Sequence, residues 1–207
     1  SGRIGADFQA DAHIVETTMQ RDGHALERGR ADLVIASRDN MLAARFTATA
    51  DGLTWNGATL DQAQLRITAR APLDLARYEA ESAWRVGSVR SAQLNANQIS
   101  GGVGGEAVAQ DNTLAPRVWQ GQLRLNASAF SAYGNALQSA RFDARLDGEA
   151  SNGRARWTLA GDDFAGLAML APRATASGEL RFDLDGASSA EGGAQLALTN
   201  ARLNADA

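Results

Sequence analysis

The residues of this chain whose types could do acid–base or metal chemistry are few and poorly spaced for it. His13 and His24 are its two histidines, and neither shows the His-x-x-x-His spacing that brings two metal ligands to one side of a helix. Asp162 and Asp163 are adjacent, so their carboxylates would point to opposite faces of a strand. We therefore predict no catalytic residues and no metal site.

A second carboxylate pair and a glycine-rich motif are also weak candidates. Asp183 and Asp185 share the polar side of their strand with charged neighbours, which is typical of a solvated surface. Gly102–Ala107 has the loose form G-x-G-x-x-A, but a dinucleotide site needs a strand before it and a helix after it. Because polar residues and Pro116 follow, we predict a loop at Ser100–Gly105.

The composition excludes several further classes. The 207 residues contain no cysteine and no lysine, which excludes thiolate metal sites, a cysteine nucleophile and a Walker-type phosphate loop. A net charge of −4 gives no basic surface for nucleic acid. There is no run of about 18 apolar residues and no signal-peptide pattern. Since alternation extends from near Ser1 to Ala207, we expect a piece of a longer β-rich protein.

Most of the chain alternates apolar and polar residues with a period of two. In Ser139–Gly161, Phe142 and Leu146 belong to an apolar series that alternates with arginines and aspartates. A polar segment, Gly148–Gly153, precedes a second alternating run that contains Trp157. Such a pattern predicts a hairpin with one apolar face and one charged face.

Similar runs recur at intervals of roughly ten to fifteen residues, which favours an antiparallel meander over βαβ units. We predict an all-β fold: a mostly antiparallel curled sheet or β-groove, or a flattened sandwich, with at most one or two short helices. Residues 1–207 form a single β-rich domain or a fragment of a longer β-groove protein. A subdivision near residues 100–116 is left open.

Three local patterns interrupt the alternation. Leu73–Trp84 fits either a short helix or a turn followed by a strand, and Phe164–Leu170 fits a short helix. Asp51–Gly52 predicts a tight hairpin turn, because this dipeptide tolerates positive φ angles.

The apolar face is unusually rich in alanine. Two sheets with such inner faces would leave gaps at normal packing density, and voids are destabilising. One interpretation is a groove filled by acyl chains, whose burial is worth about 0.8 kcal/mol per methylene. The other is that alanine reflects base composition and a thin core.

Three stretches carry the alternation most clearly: ATLDQAQLRITARAPLDL, NALQSARFDARLDGEASNGRARWTLAG and GELRFDLDGASSAEGGAQLALTNARLNADA. They resemble the repeated strands of the AsmA-like bacterial envelope proteins, the intermembrane phospholipid transport proteins of the TamB and YdbH type. This resemblance covers most of the chain.

The resemblance implies a protein that is anchored at the inner membrane of a Gram-negative bacterium, crosses the periplasm and moves phospholipid to the outer membrane. Its sheets would curl into a groove that holds acyl chains, and its edges would pair with neighbouring β segments of the parent chain or with a partner strand. The implied groove or core positions are Phe46, Leu65, Ile67, Leu123, Leu125, Phe142, Leu146, Trp157, Leu180, Phe182, Leu184, Leu196 and Leu198.

The resulting functional hypothesis is a periplasmic segment that shields acyl chains along an apolar β-groove, with no enzymatic activity and no cofactor. The alternative is a structural or adhesive β-sandwich or β-solenoid module of a cell-envelope or secreted protein, with a dry core and no lipid cargo. A hydrolase or sugar-binding jelly roll would need carboxylates and exposed aromatics in one cleft, and the sequence does not supply such a cluster.

Overall fold

A computed structural model describes residues 7–15, 18–21, 24–109, 116–183 and 191–203. All regular structure in these residues is β-strand, and they contain no helix. The strands are β1 (Phe8–Ile14), β2 (Met19–Arg21), β3 (His24–Leu26), β4 (Arg28–Arg38), β5 (Met41–Asp51), β6 (Leu53–Trp55), β7 (Ala58–Asp61), β8 (Ala63–Pro72), β9 (Arg77–Arg90), β10 (Leu94–Ala109), β11 (Pro116–Ala132), β12 (Asn135–Glu149), β13 (Asn152–Gly166), β14 (Met169–Asp183), β15 (Glu191–Thr199) and β16 (Arg202–Leu203).

The strands pair into one open, antiparallel sheet. Its main order is β1-β4-β5-β8-β9-β10-β11-β12-β13-β14-β15. The short strands continue the sheet beside it, with β2-β3-β6-β7 leading to β9 at one end and β16 paired to β14 at the other. The prediction of an all-β, antiparallel curled sheet is confirmed, and the architecture is a single sheet rather than a flattened sandwich.

The register explains how the alternating sequence produces two different faces. Phe142 lies opposite Leu125 on one neighbouring strand and Leu159 on the other, while Asp143 lies opposite Arg124. Cross-strand partners share a face of the sheet. The apolar residues of successive strands therefore gather on one side and the charged residues on the other.

Tight two-residue turns join several of the strands. Asp39–Asn40, Asn56–Gly57, Tyr133–Gly134 and Leu167–Ala168 have both residues at positive φ, as in the type I′ turns that suit hairpins. Asn and Gly adopt this conformation readily, whereas for other residues it is destabilising by roughly 1–2 kcal/mol each.

The prediction of a hairpin at Asp51–Gly52 is wrong, because the chain continues from β5 into β6 and turns at Asn56–Gly57.

The loop predicted at Ser100–Gly105 is also wrong. These residues lie within β10 and pair with β9 and β11, so the sheet is continuous here; residues 110–115 lie outside the described residues. The glycines allow close backbone approach: a Cβ built on Gly101 would lie 2.6 Å from the carbonyl oxygen of Arg124. Local glycine content favoured a loop, and pairing on both sides overrides it.

The helix predicted at Phe164–Leu170 is wrong as well. These residues form the end of β13, the turn Leu167–Ala168 and the start of β14. In Leu73–Trp84 the alternative of a turn followed by a strand holds, since β9 begins at Arg77. An apolar run this short does not distinguish helix from strand, and cross-strand pairing decides both cases.

A line of backbone irregularities crosses the sheet from β5 to β14, and we call it the crease. Several of its residues have positive φ angles, and the strand ladders skip the crease positions within β9–β14. The crease runs through Gly52, Gln62, Gly87, Gln98, Ala129, Gln138, Asp163 and Pro172. It separates a long wall (β1, β4, β5, β8, β15 and the adjoining parts of β9–β14) from a short wall (β2, β3, β6, β7, β16 and the remaining ends of β9–β14).

The buried core lies along the crease. Successive strands place two apolar residues three positions apart, one in each wall, such as Leu137 with Ala140. An irregularity in a strand changes its side-chain phase, so both members of the pair point to the same face. The two buried clusters consist of Leu137, Ala140, Phe164, Ala171 and Ala174, and of Ala96, Ile99 and Ala127. Both contact Phe130. The walls therefore bend toward the apolar face and form a shallow trough.

Truncating Phe164 tests the importance of the crease. Phe164 is 7% exposed and belongs to a buried cluster, so Phe164→Ala is expected to lower the free energy of unfolding by about 3–5 kcal/mol. Leu196→Ala, on the open edge strand, is the control and is expected to change it by less than about 1 kcal/mol. Urea unfolding measures both values, and equal losses would contradict a core located at the crease.

Candidate functional site

Three adjacent rows of cross-strand partners give the long wall an uncharged surface, which we call the lining. Each row crosses the eleven strands of the main order from β1 to β15, a distance of about 48 Å at about 4.8 Å per spacing. The rows begin at Ala10, Ala12 and Ile14 and end at Gly192, Ala194 and Leu196. They contain no charged side chain, and Ser82 is their single hydroxyl. Such a surface suits an apolar ligand.

The structure brings the predicted groove or core positions to this face. Half-buried there are Phe46, Leu65, Ile67, Leu123, Leu125, Phe142, Leu146, Trp157, Leu180, Phe182 and Leu198. Leu196, on the edge strand, is 52% exposed. Leu184 lies outside the described residues. Contact of these residues with lipid stays a prediction.

Sequence reasoning missed the residues that are most buried. Of the predicted positions, Leu125 and Leu198 pack against the buried clusters without belonging to them. The cluster members Leu137, Ile99 and Phe164 fall out of phase with the alternation that marked the strands. In the sequence these residues are marked by a second apolar residue three positions away. This spacing is informative only when it recurs at adjacent positions of neighbouring strands.

Aromatic rings of the apolar face lie over glycines of neighbouring strands. Trp84 is opposite Gly101 and Trp157 is opposite Gly178, and a Cβ built on either glycine would lie 2.8 Å from the tryptophan ring. The arrangement recurs with Trp119 over Gly148 and Phe182 over Gly153. Because these rings lie along the sheet, the surface is shallow and smooth.

The lining is open on one side. No second layer of described structure packs on it, and none of the large side chains in the described residues is fully buried. Interdigitated cores are close-packed and bury such side chains. The lining therefore remains available to something outside the described sheet.

The opposite face carries the charged side chains, paired at the surface. Arg141 donates a 2.7 Å hydrogen bond to Asp143, which holds the pKa of the Asp143 carboxyl below its ordinary value and raises the pKa of Arg141. Hydrogen bonds from Gln120 and then from Arg77 lower the pKa of Glu106. The arginines of these pairs are exposed and the carboxylates are only half-buried, so the pairs contribute little to stability.

A broad concavity of about 1640 Å³ lies on the charged face over β5 and β8–β12. Its wall includes the polar-phase side chains of these strands, among them Arg45, Arg66, Glu81 and Arg124. Phe46 does not contribute to it, but Leu65, Trp84, Val103 and Leu146 of the lining also border it. Strand twist makes a sheet saddle-shaped, so a hollow can occur on each face. Alternation along single strands does not predict this concavity, because its shape depends on how neighbouring strands twist relative to one another.

The candidate acid–base residues do not assemble into a site. His13 Nδ1 lies 2.7 Å from Asp32 Oδ1, and His24 stacks on Trp55 with 4.2 Å between ring centroids. Asp185 lies outside the described residues. No group of three metal-ligating side chains occurs in the parts of the chain that the structure places.

Comparison with known proteins identifies no relative. No protein-family model matches the chain, and neither the curated proteins nor the solved structures include a match. Within the described ranges, no helix is both long enough and apolar enough to cross a membrane.

Adding a methyl group beneath a tryptophan tests the arrangement of rings over glycines. Gly101→Ala places a Cβ against Trp84 and the Arg124 carbonyl, and overpacking of this kind is expected to lower the free energy of unfolding by about 1–3 kcal/mol. Gly193→Ala meets no atom within 4 Å and is expected to be neutral or stabilising by up to about 1 kcal/mol. Thermal unfolding compares them; a neutral Gly101→Ala would contradict the arrangement.

Removing the His13 ring tests the electrostatics of the charged face. The hydrogen bond with His13 is the main cause of the lowered pKa of Asp32, with a smaller contribution from Arg30. We expect His13→Ala to raise the pKa of Asp32 toward its ordinary value, because the carboxylate loses that hydrogen bond. Carboxyl NMR titration measures the shift, with Arg38→Gln as a distant control. An unchanged pKa in His13→Ala would show that the pair does not form in solution.

Proposed function

We propose that this chain is a periplasmic segment of an AsmA-like intermembrane phospholipid transport protein, and that it shields acyl chains along its lining. The observation that carries the proposal is the three-row surface, uncharged across the whole sheet and uncovered by described structure. An acyl chain lying across the strands would meet Leu, Phe, Trp and small residues throughout, while its headgroup stays in water. No bond is made or broken, so the segment needs no catalytic group.

The energetics suit a conduit rather than a tight binding site. A chain of about 16 carbons that buries half of its surface gains about 6 kcal/mol, at about 0.8 kcal/mol per fully buried methylene. Ordering the chain offsets part of this gain. The remaining affinity is weak enough for the chain to slide along rows that repeat every strand.

The edges of the sheet supply the proposed contacts with neighbouring segments. In the described sheet, β1 and β15 each pair on one side only. Unpaired edges accept additional strands through backbone hydrogen bonds. Strands of the parent chain or of a partner would extend the lining beyond Leu196, within a parent protein anchored at the inner membrane and directed toward the outer membrane.

A second candidate function is a structural or adhesive β module without lipid cargo. The crease favours it, because Leu137, Ile99 and Phe164 are buried there in clusters of the chain's own side chains. In this alternative a second protein surface, rather than acyl chains, covers the lining.

Photocrosslinking tests the transport proposal against this alternative. A benzophenone amino acid at Phe142 or Phe182, both on the apolar face, is expected to form adducts with the mass of phospholipid in cells. The control position is Thr158, an exposed residue of the charged face that lies opposite Asp143. Solvent extraction and mass spectrometry of the unmodified protein should recover the same lipids.

The two candidates predict different results. Lipid adducts at Phe142 and Phe182 but not at Thr158 support transport. Protein adducts alone, with no extractable lipid, would favour the structural module, and equal lipid labelling on both faces would indicate nonspecific contact.

A further inference from the structure

The described turns at the free rim of the short wall are uncharged. Its four described turns lie between β6 and β7, β9 and β10, β11 and β12, and β13 and β14. They consist of residues 56–57, 91–93, 133–134 and 167–168. None of these residues is charged. Consecutive turns are two strands apart, so the row is about 29 Å long.

Three large side chains project from this rim. Trp55 is 55% exposed, Tyr133 is 77% exposed and Leu167 is 67% exposed. Trp55 stacks on His24 of the adjacent strand, which supports the ring at the rim. Exposed large apolar side chains aligned along one edge mark an interaction surface more clearly than scattered ones do.

Two of these side chains occupy unfavourable backbone positions. Tyr133 has φ of 50°, and Leu167 and Ala168 have φ of 52° and 54°. Asn-Gly, which forms the neighbouring turn at residues 56–57, would fit the same turns without strain. Strain retained at an exposed position points to a role for the side chain itself.

The opposite rim, at the far end of the long wall, has a different chemistry. Its described turns lie between β4 and β5, β8 and β9, and β12 and β13. Each has a carboxylate at or beside it: Asp39, Asp74 and Glu149. The described turns are therefore uncharged at one rim of the trough, although Arg90 precedes one of them, and at the other, acidic rim they carry carboxylates flanked by Arg38 and Arg77.

We propose that the uncharged rim contacts the interfacial region of a phospholipid bilayer, into which Trp55, Tyr133 and Leu167 insert. Tryptophan and tyrosine concentrate at membrane interfaces, because each joins an apolar ring to a polar group. The four described turns hold no carboxylate, so they enter that region without the penalty of burying one. The acidic rim then faces away from the membrane. Because the short wall is narrow, the crease lies about 14 Å from the membrane surface.

Vesicle flotation tests the proposal with a variant designed to fold well. The rim variant combines Trp55→Ser, Tyr133→Asn, Leu167→Asn and Ala168→Gly, which turns two strained turns into Asn-Gly. The control variant combines Met41→Ser and Leu73→Ser, which are exposed on the acidic rim. The probe is phosphatidylcholine vesicles, whose zwitterionic surface removes net-charge attraction.

The wild type and the control variant are expected to float with the vesicles. The rim variant is expected to bind at least roughly tenfold more weakly, while its thermal unfolding midpoint is unchanged or raised. Equal binding by the rim variant, equal loss in the control, or no flotation of the wild type would each overturn the proposal, as would binding only to protein partners. The proposal does not require a lipid-filled lining: crosslinking at Phe142 tests lipid transport separately.

Discussion

In a β-strand, consecutive side chains face opposite ways, so a strand can present an uninterrupted apolar surface only while its phase is kept. This chain keeps the phase through the three rows of the lining and changes it at the crease. The change directs apolar residues from both walls to the same side, where Leu137, Phe164 and Ile99 become buried. A single-layered sheet thereby obtains a core without a second sheet.

Alternation made the strands and their faces predictable. Phe142, Leu146 and Trp157 share a face in the structure because each lies in the apolar phase of its own strand. The crease could not be predicted in this way: the spacing from Leu137 to Ala140 looks irregular within one strand and becomes significant only beside its neighbours. The prediction of a loop around Gly101 is wrong for a similar reason. The place of Gly101 in the sheet depends on Trp84 of the neighbouring strand rather than on adjacent residues.

The lining and the crease divide two tasks between different residues. The crease provides most of the buried apolar contact, so stability depends on residues at the bottom of the trough. The lining consists of half-buried residues beside glycine and alanine. A ligand or solvent can therefore contact it without unfolding the sheet. The same division explains why the predicted positions and the most buried positions are largely different sets.

The number of strands in the main order has a consequence for assembly. The main order contains eleven strands, and neighbours in an antiparallel sheet alternate in direction. An odd number means that β1 and β15 both run from the long wall toward the short wall. Two identical copies joined edge to edge by antiparallel pairing would therefore place their short walls on opposite sides. A continuous trough longer than this sheet needs strands of a different sequence, so the geometry disfavours simple self-polymerisation.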